Sequence, residues 1–154
     1  MPRLQYLFAA MLISLSQSLL AQPLQSPKPV LKVTKTETCG CCAIWVERAE
    51  MAGYQVEVQN VSNSALDKLK DRLGIPFQAR SCHTAEAAGY YIEGHVPLAD
   101  VDRLLTEKPE AAGIAVPGMP LGSPGMDFGP EKQAYNTYIL TQDNRAAIYA
   151  KHNQ

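Results

Sequence analysis

Thr38-Cys39-Gly40-Cys41-Cys42-Ala43-Ile44-Trp45 decides how this chain is read, because it stands where one hydrophobic period gives way to another. Upstream, Val30 to Thr34 alternates apolar and polar residues, as a half-buried strand does. Downstream of Ala43, the residues Ile44, Trp45, Arg48, Ala49 and Met51 fit a helix that Gly53 terminates. Three thiols thus sit at a strand-to-helix junction. The free amides and positive dipole end of a helix N-terminus lower a thiol's pKa and favour thiolate, the form that attacks disulfides and ligates metals. Trp45 reads as a core or rim aromatic, and Met51 as core.

Working outward, the N-terminus begins with a short basic start, Met1 to Arg3, followed by an apolar run from Leu4 to Leu20 broken by Gln5, Ser14, Ser16, Gln17 and Ser18. That pattern is expected to be a signal peptide over residues 1–21, cleaved after Ala21. It is too short and too polar at its end for a membrane span of about 20 apolar residues. Gln22 to Pro29, with three prolines, reads as a mobile lead-in. Residues 30–154 then form one domain. Beyond Ala21 the chain carries 13 basic against 15 acidic side chains, a net charge near −2. Nucleic acid is excluded as a partner, because phosphate binding needs clustered Lys and Arg.

All four cysteines, Cys39, Cys41, Cys42 and Cys82, lie past the expected cleavage point. In an oxidising compartment two structural disulfides are the plain reading. The spacing argues against it: Cys41 and Cys42 are adjacent, and Cys39 is too close to either for an ordinary loop-closing staple. Three thiols within four residues instead resemble a redox or metal site.

Past the first helix, Tyr54, Val56 and Val58 alternate as a second strand. Ser62 or Ser64 can cap a helix carrying Ala65, Leu66, Leu69 and Leu73, which Gly74 ends. A third extended segment containing Phe77 and Ala79 is expected to reach Cys82 and His83. Tyr90 to Glu93 reads as a strand, and Pro97 opens a helix with Val101, Leu104 and Leu105. Gly113 to Pro130 is expected to be a long, functional loop, followed by a hairpin of Tyr135 to Leu140 and Ala146 to Tyr149 turning at Asp143-Asn144. The fold class is therefore α/β, and the element order with a dithiol after the first strand resembles the thioredoxin fold. Gly74-Ile75-Pro76 is similar to the segment in which thioredoxins place a cis-proline.

More specific are Ser81-Cys82-His83-Thr84-Ala85, Gly89-Tyr90-Tyr91-Ile92-Glu93-Gly94-His95-Val96-Pro97, Val116-Pro117-Gly118-Met119-Pro120 and Gly122-Ser123-Pro124-Gly125-Met126. Together with the cysteine triplet they resemble the CopG-like family of periplasmic copper-resistance proteins, long catalogued as a domain of unknown function. The resemblance runs from about Val33 to Tyr149. It implies a periplasmic protein that binds, transfers or interconverts copper in copper tolerance, with another periplasmic copper protein as a possible partner.

Residue chemistry points to copper independently. Thiolate and thioether together suit Cu(I), whereas a zinc site has no use for methionine. Met119 and Met126 lie outside any periodic apolar stretch, unlike the usual gap-filling core methionine. The expected metal ligands are Cys39, Cys41, Cys42, Cys82, His83, Met119 and Met126. Four thiols exceed what one Cu(I) needs, so a thiolate-bridged cluster is possible. His95 could bond a turn, bind metal or orient a ligand; Glu93 and Tyr91 read as strand residues, with Glu93 also able to orient a ligand, and His152 as a solvated tail. A rival reading is a thiol-disulfide oxidoreductase in which Cys39 attacks and Cys42 resolves. A third, a disulfide-stapled binding module without metal, leaves the methionines unexplained.

Overall fold

A computed structural model describes residues 27–143 and 145–154. The expected signal peptide, residues 22–26 of the lead-in and Asn144 at the hairpin turn lie outside the described residues. In chain order the elements are β1 (Leu31–Thr36), α1 (Gly40–Met51), β2 (Val56–Val61), α2 (Asn63–Arg72), a 3-10 turn (Phe77–Ala79), β3 (His83–Ala87), β4 (Tyr90–Glu93), α3 (Leu98–Glu107), β5 (Gly113–Ala115), β6 (Tyr135–Leu140) and β7 (Ala146–His152). The strands form one seven-stranded mixed sheet in the order β2-β1-β3-β4-β5-β6-β7. β1 pairs in parallel with β2 and antiparallel with β3, which pairs antiparallel with β4. The chain is an α/β protein with the expected succession from first strand to third helix. No helix among the described residues is long and apolar enough to cross a membrane.

Side-chain alternation along the strands divides the core. Leu31, Val33, Ala85, Ala87, Ile92 and Ile114 pack with Trp45, Val46 and Ala49 of α1 and Val101 and Leu104 of α3. Their neighbours one position along, Tyr91 and Ala115, turn to the other face and pack with Ile75, Ala79 and Leu140. Register therefore decides which chemistry meets which helix. His83 has the parity of Ala85, and its ring packs against Trp45 with centroids 4.8 Å apart and planes tilted by 49°. Thr84 and Glu93, cross-strand partners, share the opposite face with buried Lys70 of α2.

Several local expectations change. Met51 is 87% exposed, not core. The buried face of α1 is Cys42, Trp45, Val46 and Ala49, and two residues beyond Ala49 a 3.6-residue period turns Met51 to the opposite side. Phe77 and Ala79 lie in a 3-10 turn opened by Pro76, with Phe77 82% exposed, and no peptide bond among the described residues is cis. The segment expected as loop from Gly113 begins instead as β5, because three buried residues complete the sheet beside β4. His152 belongs to β7 rather than a solvated tail: its Nε2 lies 2.9 Å from Asp100 Oδ2, and its ring stacks on Tyr135. In the lead-in, Lys28 pairs with Asp102 at 2.6 Å and lies over the Tyr54 ring.

Candidate metal centre

The donors converge from separate pieces of backbone. α1 presents Cys41 and Cys42 in its first turn and Cys39 as N-cap, with no side chain capping the helix and no acidic residue in that turn. No carboxylate in the first turn therefore offsets the positive dipole end beside these sulfurs. Cys39 and Cys42, the Cys-x-x-Cys pair, form a disulfide with Cα atoms 5.4 Å apart, while Cys41 and Cys82 are free. Cys41 Sγ lies 3.6 Å from Cys39 Sγ. Cys82, just before β3, brings its carbonyl oxygen within 3.7 Å of Cys42 Sγ. All four sulfurs lie within 4.8 Å of one another. The sequence leaves the pairing of the thiols open; the bridge forms at Cys39–Cys42, the pair of the oxidoreductase reading, where the first helical turn brings residues three apart together.

Two imidazoles stand behind Cys82. Its Sγ is 2.9 Å from His95 Nε2 and 3.5 Å from His83 Nδ1, and the three ligand atoms form a second potential donor set. His95 Nδ1 lies 2.8 Å from the carbonyl oxygen of Pro124. A carbonyl only accepts, so Nδ1 carries the hydrogen and Nε2 keeps a lone pair toward Cys82; a second-layer carbonyl commonly orients metal-ligating histidines this way. Burial lowers the pKa of both rings, that of His83 well below the ordinary value with further push from His95, Lys70 and Lys35. Both are neutral at pH 7, as a ligand must be. His83 Nε2 is buried without a hydrogen-bond partner. Burial, reinforced by Cys41, pushes the Cys82 thiol up to about 12, so a metal must displace its proton.

The Gly/Pro loop packs against this mouth. Gly125 has φ +87°, and a Cβ there would lie 2.6 Å from the carbonyl oxygen of Cys41 and 3.3 Å from His95 Nδ1. Glycine is required both for the left-handed conformation and for the close approach. Arg48 of α1 pairs with Asp127 at 2.7 Å and ties the far side of the loop to the helix. Met126, between these two anchors, is half-buried, whereas Met119 is 51% exposed. Trp45 fixes the opposite wall by donating its indole N–H to the Val96 carbonyl at 2.8 Å, one residue past His95.

Of the residues singled out in the sequence, the structure brings together the four cysteines and His83, leaves Met126 half-buried one residue beyond the Gly125 contact, and leaves Met119 51% exposed. His95, left open among three roles, stands nearer to Cys82 Sγ than His83 does. The Gly94-His95-Val96-Pro97 stretch was the available signal. Lys70 is missed altogether, and Glu93 reads in sequence as a strand residue that could orient a ligand, without a partner for it. Lys70 reads in sequence as one more cation on an amphipathic helix, yet it is 2% exposed and pairs with fully buried Glu93.

Residues 79–126 match a family described as a protein of unknown function, DUF411, a span that includes Cys82, His83, His95 and both loop methionines. No curated protein matches the chain. Two solved structures are similar to it. One, copper resistance protein CopG in form 2, is 38% identical with a TM-score of 0.75, covering 81% of this chain and 98% of that one. The other, form 1 of the same protein, is 37% identical with a TM-score of 0.76, covering 82% and 99%. Identity at this level, spread over nearly the whole of those relatives, makes the chain a member of the CopG family.

Proposed function

We propose that the chain is an exported, periplasmic copper-binding protein that holds copper, as Cu(I), at the mouth formed by Cys39, Cys41, Cys42 and Cys82. The observation that carries this reading is the convergence of four sulfurs within 4.8 Å. Thiolates are soft donors and match Cu(I). His83, Met126 and Met119 are the further donors of the reading, and His95 Nε2 becomes available once Cys82 gives up its proton. Cys39 and Cys42 enter as ligands only after their disulfide is reduced, a two-electron step that an external thiol reductant must supply. Four thiolates are enough to bridge more than one copper ion.

Copper is the cargo in this reading. The protein acts in copper tolerance by binding the ion, passing it to another periplasmic copper protein, or interconverting Cu(I) and Cu(II) with an external one-electron partner. Similarity to a copper resistance protein supports the biological setting. Competition with a Cu(I) chelator tests the metal: the reduced chain should hold Cu(I) far more tightly than Zn(II), and displacement of copper by Zn(II) overturns the assignment.

One observation favours a second reading. The Cys39–Cys42 disulfide at the N-terminus of α1 is the arrangement a thiol-disulfide oxidoreductase needs, with Cys39 attacking and Cys42 resolving. Multiple-turnover reduction of a protein disulfide by the reduced chain would place this activity first.

A further inference from the structure

We propose that Lys70 and Glu93 are positioning residues: their buried ion pair clamps the chain on either side of Cys82, by the Ser81 backbone before it and the Thr84 hydroxyl after it, and thereby fixes that sulfur at the metal mouth. The inference rests on the copper reading for its purpose but on geometry for its content. Lys70 comes from α2, which contributes no donor, and reaches through the sheet face opposite Trp45 and His83. Its ammonium donates to the Ser81 carbonyl at 3.1 Å, to Thr84 Oγ1 at 3.1 Å and to Glu93 Oε1. Glu93 in turn accepts from the Ser81 amide at 2.6 Å and from the Thr84 hydroxyl at 2.6 Å.

Ser81 lies outside β3, so no sheet ladder is available to its backbone groups. The ion pair holds both of them, on the residue immediately before Cys82, and Thr84 holds the chain two residues after it. Ser81 Oγ also donates to the Gly118 carbonyl, which extends the clamp to the loop that covers the mouth. Glu93 itself precedes His95 by two residues, so one network sets both members of the Cys82–His95 contact. Apolar residues would serve packing alone at least as well, since a buried ion pair must overcome a large desolvation penalty. What the charges add is direction: a carboxylate and an ammonium recognise an amide and a carbonyl of the same residue.

The test exploits the fact that replacing a buried pair with apolar side chains of similar size often leaves stability intact. In the full chain, Lys70→Met/Glu93→Leu is compared with the parent and with Leu104→Ala, a core substitution in α3 away from the mouth. Iodoacetamide labelling of Cys41 and Cys82, resolved by peptide mass mapping, should show the Cys82-to-Cys41 rate ratio rising by about tenfold or more in the double variant and staying constant in Leu104→Ala. An unchanged ratio in the folded double variant, or the same rise in Leu104→Ala, overturns the positioning role. Should the double variant not fold, Thr84→Val removes the hydroxyl shared by both charges; a rise of about two- to threefold supports the clamp and no rise overturns it. Cu(I) competition on the same proteins reads the function separately. A parent that binds no copper defeats the proposed function, while the labelling ratio still decides the clamp.

Discussion

Glycine at position 125 shows how a single residue couples the loop to the cysteines. Any side chain must relieve a 2.6 Å approach to the Cys41 carbonyl and adopt φ +87°. Gly125→Ala should therefore cost about 1–3 kcal/mol, lower the melting temperature by several degrees and weaken Cu(I) retention in a chelator competition, because the strain is relieved by moving the loop off the mouth. A variant with parent stability and parent affinity would show that the loop tolerates the methyl group in place. The methionines on the same loop are tested by the converse change. Met119→Leu/Met126→Leu keeps volume and hydrophobicity, with a packing cost below about 1.5 kcal/mol, and removes both thioethers. Copper affinity should fall while reduction of a small-molecule disulfide by the cysteine cluster stays near the parent rate. With Met119 51% exposed, the single Met126→Leu variant should carry most of the loss.

At the scale of elements, the helices divide stability from function. Ser62 caps α2 by accepting from the Ala65 amide at 3.3 Å. Ser62→Ala should destabilise the protein by about 1 kcal/mol in a denaturant melt, with copper affinity unchanged; a loss of affinity would mean that α2 as a whole, not Lys70 alone, shapes the mouth. Sequence periodicity identified every helix and most strands here because apolar spacing is a local property. It misjudged Met51 because the helix begins at Gly40 and its phase is set by Trp45 docking under the site, not by the average hydrophobicity of its last turn. It misjudged Phe77 for a related reason. An apolar residue next to proline reads as strand, yet the chain turns there so that Arg80 can donate to the Ile75 carbonyl at 3.0 Å and Ser81 can reach the Lys70–Glu93 pair. His152 likewise reads as a tail residue until β7 pairs with β6 and sets it against Asp100 and Thr137.

For the molecule as a whole, the state of one disulfide sets how many sulfurs face the mouth as thiols. Thiol titration of the unfolded, non-reduced chain should give two free thiols, Cys41 and Cys82, and four after reduction. Copper capacity should rise with that second pair; equal capacity before and after reduction would exclude Cys39 and Cys42 from the site. By itself the sequence determined the α/β class, the element order, the strand-to-helix placement of the triplet, and a donor chemistry suited to a soft metal. These are properties of neighbours along the chain, where period and residue type suffice. Only the tertiary structure decided that Cys39 pairs with Cys42, that His95 turns its lone pair to Cys82, and that Lys70 and Glu93 hold the strand start between them. The choice of Cys39 and Cys42 follows from the start of α1 at Gly40, and the other two outcomes depend on sheet register and on hydrogen bonds between segments far apart in sequence, where a shift of one residue sends each side chain to the opposite face.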